Sequence, residues 1–237
     1  YVAPTDPYLL QRLEWFRDQK LALMMHFGPY SQMNGIDASW PLSEEDADER
    51  ADVTWESDLD TFRQQYVDLN KSFNPVCIQP DAWADFAAEC GFRYLLFTTK
   101  HHDGFCLFDS RLTDFKSTNT PFGRDAVKEF VEAVRAEGLK VGLYFTLIDW
   151  HHPDYPHYGD RYHPMRNDPA YENSGRDFER YLDYMHGQIR ELCTNYGKLD
   201  LLWFDFGYDH LRGEAWRGSA LADMVRALQP EVLLDNR

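Results

Sequence analysis

A chain of 237 residues, 43% hydrophobic and 16% aromatic, carries enough apolar material for one sizeable core, which excludes a disordered chain. Its 40 acidic residues outweigh 24 basic ones, and a net charge of −16 argues against a nucleic-acid surface, where basic groups must replace counterions. No apolar run approaches the roughly 18 residues of a membrane span, and no basic-then-apolar leader follows Tyr1, so a soluble protein is expected, cytoplasmic or secreted after processing.

Residues 8–16, from Tyr8 to Phe16, place apolar side chains at helical spacing and predict a short helix. The apolar run from Leu21 reads as a strand ending at His26, with Gly28-Pro29 as punctuation. Residues 31–60 are polar, strongly acidic over 44–49 and broken by Pro41, as expected of a long surface loop. Trp40 and Trp55 stand in that loop as anchors or as walls for a ligand. Helices are expected around 58–70 and over 81–90, the latter closed by Gly91. The strand Tyr94–Lys100 follows and runs into His101-His102-Asp103-Gly104-Phe105. A helix over 124–137 stops at Gly138 and leads to a strand, Val141–Leu147, which ends in Asp149, Trp150, His151 and His152. A loop rich in Tyr, His and Pro (153–171) precedes a long helix over about 172–195, closed near Gly197. The run Leu201-Leu202-Trp203-Phe204 is a buried strand that breaks at Asp205. A helix over about 214–228 and a fifth strand from Glu231, ending in charge at Arg237, complete the chain.

Five strands alternating with helices predict a parallel sheet with right-handed crossovers. Titratable residues gathered at the C-terminal strand ends point to an α/β fold of the (β/α) TIM-like barrel type, with its active face there. An open doubly wound sheet also alternates, but no Gly-x-Gly-x-x-Gly follows the first strand, which disfavours nucleotide binding. Eight units close a barrel of about 250 residues. Residues 1–237 are therefore expected to form one partial barrel domain, its remainder cut away or supplied by another chain, as in a homo-oligomer.

The four cysteines, Cys77, Cys90, Cys106 and Cys193, form no Cys-x-x-Cys pair and read as free thiols. His26, His101, His102, His151, His152 and Asp205 offer ligands for a metal-dependent hydrolase, yet no His-x-His or His-Glu-x-x-His spacing occurs. Adjacent histidines on a strand also point to opposite faces, so one of each pair is expected to face a common centre. The alternative is carbohydrate chemistry. Neutral histidines and aromatic rings bind and stack on a sugar, and a carboxylate attacks its anomeric carbon. His26, His101 or His102, Tyr144, a tryptophan and Asp205 suit that chemistry better, so neither metal nor cofactor is expected.

The runs His26-Phe27-Gly28-Pro29-Tyr30-Ser31, Thr98-Thr99-Lys100-His101-His102-Asp103-Gly104-Phe105, Gly142-Leu143-Tyr144-Phe145 and Leu202-Trp203-Phe204-Asp205 occur in this order. They resemble the α-L-fucosidases of glycoside hydrolase family 29 across nearly the whole chain. The resemblance implies a retaining exo-glycosidase that hydrolyses terminal α-L-fucose from a fucosylated oligosaccharide or glycoconjugate, with Asp205 as nucleophile. His26, Trp40, His101, His102, Tyr144 and Arg237 would line the fucose pocket. The family joins its barrel to a C-terminal β-sandwich, which is absent from residues 1–237, and its acid/base carboxylate lies downstream of the pocket arginine. A non-catalytic sugar-binding fragment is therefore a third reading. Three positions depart from the family pattern: Phe27 replaces a tryptophan, Phe206 replaces the glycine after the nucleophile, and Ser39 stands where a glutamate often precedes the loop tryptophan. Glu44, Glu45 and Glu56 are in-chain carboxylates read as an exposed acidic loop.

Overall fold

A computed structural model describes residues 5–33, 38–43, 58–156, 160–166, 175–207 and 211–236. The described elements run α1 (Pro7–Gln19), β1 (Ala22–Met25), α2 (Leu59–Asp68), α3 (Pro80–Glu89), β2 (Tyr94–Lys100), α4 (Ala126–Ala136), β3 (Lys140–Thr146), α5 (Phe178–Asn195), β4 (Leu201–Asp205), α6 (Gly218–Leu228) and β5 (Leu233–Asn236). Aspartates explain where four of these helices begin. Asp6, Asp58, Asp125 and Asp177 each accept a hydrogen bond from a backbone N–H of the first turn, satisfying donors that a helix start leaves open.

The five strands form one parallel sheet in the order β1-β2-β3-β4-β5. Sequential order is what a barrel wall requires, whereas a doubly wound sheet reverses direction at a switch point. The barrel is not closed: β1 and β5 are the edges of the sheet. No helix among the described residues is long and apolar enough to cross a membrane.

Side-chain alternation splits the strands into two faces. The outer face, with Leu95, Phe97, Val141, Leu143, Phe145, Leu202 and Phe204, packs under the helices in the main core. There Phe97 stacks on Phe130 of α4 at 4.7 Å between centroids. The inner face carries Leu96, Tyr144, Leu201 and Leu233, with Met24, Tyr94 and Trp203 and with Leu13, Trp15 and Phe16 of α1 packed against them. Gly142 makes room on this face, since a Cβ there would meet Leu96 Cδ1 at 2.1 Å.

Two helices differ from expectation. The helix expected from about 172 begins at Phe178, because Gly175, Arg176 and Asp177 are not helical and the Asp177 carboxylate caps the first turn; residues 172–174 lie outside the described residues. The helix expected over 214–228 is broken at Arg217, whose φ of +50° separates a 3-10 turn, Gly213–Trp216, from α6.

Candidate active site

Among the described residues, His26, Trp40, His101, His102, Tyr144 and Asp205 come together in one cup at the C-terminal edge of the sheet. Tyr144 and Trp203 are register partners on β3 and β4. Asp205 therefore stands two residues further along the same face, a rise of about 6.6 Å, which a tyrosine side chain can span. The Tyr144 hydroxyl donates to Asp205 Oδ2 at 2.6 Å, and both residues are buried. The other oxygen, Oδ1, accepts the Phe206 N–H at 2.9 Å. Both carboxylate oxygens are thus held before any ligand arrives.

Phe206 has a φ of +72°, the left-handed region where glycine is at ease and a side chain costs about 1–2 kcal/mol. The turn that follows Asp205 therefore keeps the shape that glycine would give it, despite the aromatic residue. Its ring in turn closes one wall, 4.3 Å from His102 and 5.6 Å from Trp40 between centroids.

Three histidines surround Asp205 and Tyr144. Each is fixed through Nδ1 by a hydroxyl: His26 by Thr98 at 2.7 Å, His101 by Ser39 at 2.6 Å, and His102 by Thr146 at 2.8 Å. The Thr98 hydroxyl also reaches the Met25 carbonyl at 3.2 Å, so one side chain ties His26 to the end of β1. Burial, with a smaller contribution from His26, holds His101 well below the usual imidazole range, so it is neutral at pH 7. Neutral imidazoles both donate and accept, which suits sugar hydroxyls.

Both His101 and His102 belong to the cup, which corrects the expectation that strand alternation turns one of them away. β2 ends at Lys100, and its pairing with β3 already slips between Thr98 and Lys100. Beyond that point the two rings lie 3.9 Å apart, His101 facing His26 and Tyr144, His102 facing Trp40 and Trp150. Trp40 comes from the turn after β1 and meets Trp150 at 5.8 Å and Tyr162 at 5.1 Å. His151 and His152 turn elsewhere, onto Phe115 and onto Tyr181 and Tyr184. Among the described residues no three His, Cys, Asp or Glu side chains are grouped to hold a metal ion.

The remaining residues of the Lys-His-His-Asp-Gly-Phe run build the support beneath the cup. Lys100 and Asp149 form a buried ion pair at 3.1 Å, their side chains 0% and 2% exposed. Asp149 Oδ1 also accepts the His151 and His152 backbone N–H groups at 3.0 and 2.9 Å. Gly104, at φ +77°, is required here, since a Cβ would fall 2.3 Å from that same oxygen. Asp103 accepts the Tyr66 hydroxyl at 2.6 Å and the Phe105 N–H at 3.1 Å, and burial pushes its carboxyl up to about 6.

Sequence reasoning did not assign Ser39, Tyr162 or Phe206 to the site. Ser39 reaches His101 across 62 residues of chain, a pairing no local periodicity signals. Trp203, read as core, packs with the inner-face cluster, yet its Nε1 is buried without a hydrogen-bond partner among the described residues, and its ring lies 6.4 Å from Tyr144. Arg237, Trp55, Glu44, Glu45, Glu56 and the acidic run 44–49 lie outside the described residues.

The family model described as Alpha-L-fucosidase matches residues 4–237. The Alpha-L-fucosidase of Dictyostelium discoideum is 30% identical over 199 residues, covering 81% of this chain and 41% of that protein. Alpha-L-fucosidase isoenzyme 1 from Paenibacillus thiaminolyticus superposes with a TM-score of 0.85 at 49% identity, over 97% of this chain and 51% of its own. A Bacteroides thetaiotaomicron GH29 α-L-fucosidase structure, a trapped covalent intermediate in complex with 2-fluoro-fucosyl fluoride, superposes with a TM-score of 0.74 at 30% identity, over 99% of this chain and 49% of its own. The chain thus spans about half the length of these solved relatives or less of the curated one.

Proposed function

The chain belongs to the α-L-fucosidase family, and we propose that the protein carrying it hydrolyses terminal α-L-fucose from fucosylated glycans with retention of configuration. The observation that carries the reading is Asp205, buried at a strand end and held through both oxygens by the Tyr144 hydroxyl and the Phe206 N–H. A nucleophilic carboxylate gains from such fixed geometry, because the attacking oxygen is already oriented when the sugar binds. In this reading Asp205 attacks the anomeric carbon and displaces the aglycone, and water then releases fucose from the glycosyl ester.

His26, His101, His102 and Trp40 form the fucose pocket, the imidazoles bonding hydroxyls and the indole covering the apolar face of the ring. Arg237, which follows β5 directly in the sequence, is the pocket arginine of this reading. A retaining mechanism needs a second carboxylate about 5–5.5 Å from the first. We assign it, together with the strands that close the barrel, to the part of the relatives' length that this chain does not span.

The test follows an aryl α-L-fucoside by proton NMR with the complete protein. Retention predicts that α-L-fucose forms first and then mutarotates. First appearance of the β anomer, or binding of fucose with no turnover, would overturn the reading.

A further inference from the structure

Arg63 stands on α2, remote in sequence from every pocket residue, yet its side chain is only 13% exposed. Its ion pair with Asp60, at 3.0 Å, does not account for that burial, since Asp60 is 74% exposed and such pairs contribute little. The other bonds of the guanidinium are more telling. Nε donates to the Leu42 carbonyl at 3.5 Å, Nη2 donates to the Pro164 carbonyl, and Nη1 meets Met165 Sδ at 3.3 Å. One planar fork thus reaches two separate loops, which a lysine's single ammonium does not reproduce.

Both loops carry walls of the cup. Leu42 closes the 3-10 turn that begins at Trp40, and Ser39, its N-cap, fixes His101. Pro164 follows Asp160, which accepts the Trp150 indole N–H at 2.8 Å, and Tyr162, whose ring meets Trp40 at 5.1 Å. Where these loops touch, Trp40 and Trp150 pack edge to face, 5.8 Å apart at 74°. Asp205 and Tyr144, by contrast, are held by strands.

We propose that Arg63 is a positioning residue that latches the loop after β1 to the loop after β3 and so holds Trp40 against Trp150 as one wall of the sugar pocket. The sugar rests on the fucosidase reading; the latch itself does not. Without the fork, each loop gains freedom that sugar binding must remove, which weakens binding and leaves the strand-held nucleophile in place. A cavity of about 270 Å³ lies beside Arg63, lined also by Asp60, Gln64, Asp103, Trp150 and Met165, and gives a small cation access to the vacated position.

The experiment compares Arg63→Ala, Arg63→Lys and Asp60→Asn in the complete protein. Near-UV circular dichroism reports the tryptophan wall, and steady-state kinetics on an aryl fucoside separate KM from kcat. Loss of hydrogen bonds to a charged donor predicts that KM rises about tenfold or more in Arg63→Ala, while kcat stays within about threefold. Free guanidinium at low millimolar concentration restores KM in Arg63→Ala but not in Arg63→Lys, and Asp60→Asn matches the wild type. The near-UV tryptophan signal weakens in both Arg63 variants. If Arg63→Ala does not fold, Arg63→Lys carries the comparison, since it keeps the charge and loses the fork. Wild-type near-UV signal and KM in a folded Arg63 variant would overturn the proposal, as would a kcat loss with KM unchanged. A wild-type protein without fucosidase activity would overturn the functional reading alone, because the near-UV comparison still decides the latch.

Discussion

Replacing Tyr144 with phenylalanine removes the hydroxyl that bonds Asp205, and it tests how far the proposed nucleophile depends on that neighbour. The ring would stay where it is, 5.0 Å from His26 and 5.9 Å from His101, so the walls of the pocket keep their shape. What disappears is a 2.6 Å bond to a carboxylate between two residues that are 2% and 6% exposed. Hydrogen bonds to charged groups contribute about 1.5–3 kcal/mol net, which corresponds to a factor of roughly 10 to 150. After the change Asp205 keeps, among the described residues, the Phe206 N–H on its other oxygen, so the carboxylate can rotate away from the attacking orientation. The loss should therefore fall on kcat, with KM for an aryl fucoside and the affinity for free fucose altered by less than about threefold. Stopped-flow or steady-state kinetics, paired with a fucose titration, make the comparison. A kcat within about threefold of the wild type, or an equal loss in fucose affinity, would refute the idea that this bond orients the nucleophile.

Three further outcomes follow from the same geometry. Phe206→Gly relieves the +72° φ, worth about 1–2 kcal/mol, but deletes a buried ring, which costs about 3–5 kcal/mol; the variant should be less stable by thermal melting, and a raised Tm would contradict the packing role. Lys100→Met leaves Asp149 as a buried charge without its partner, so it should destabilise the protein by about 3–5 kcal/mol in a urea titration, and a loss below about 1 kcal/mol would mean the pair contributes little. Asp103 has its carboxyl raised from 3.8 to about 6 by burial, with Asp149 also raising it and Tyr66 and Lys100 lowering it. The folded state therefore holds the proton more tightly, its stabilising share is complete below pH ~4 and is lost as pH rises through about 6, and two units at 1.36 kcal/mol each amount to ~3 kcal/mol. Asp103→Asn should remove that part of the pH dependence, gaining on the wild type between pH 4 and 7; parallel stability curves would refute it.

The sheet was legible because each strand is an apolar run that ends abruptly in a titratable residue, and of the residues at those ends His26, His101, His102 and Asp205 lie together in the structure. Asp205 stood out as the charge that ends such a run, and it and Tyr144 took their roles from the resemblance to the family, whose runs contain both. The two histidines at 101 and 102 were harder. Alternation holds only inside a regular strand, and the slip between Thr98 and Lys100 frees both rings to enter one cup. Ser39 illustrates a second obstacle. The chain departs from the family pattern at that position, but only the folded structure gives the hydroxyl its task, 62 residues from His101. Arg63 is the same problem at larger scale: on the sequence it is one polar residue of a helix, and its loop partners Leu42 and Pro164 lie 21 and 101 residues away. The start of α5 was misplaced because nothing in the polar run before Phe178 marks which residue caps, and Asp177 does so by its side chain.

The central claim, that Asp205 forms the glycosyl ester, is tested most directly by covalent trapping. The complete protein would be incubated with 2-fluoro-fucosyl fluoride, digested and sequenced by mass spectrometry. The account predicts stoichiometric labelling of Asp205, time-dependent loss of activity and protection by free fucose. Label on any other carboxylate, or none in a preparation that hydrolyses aryl fucosides, would contradict it.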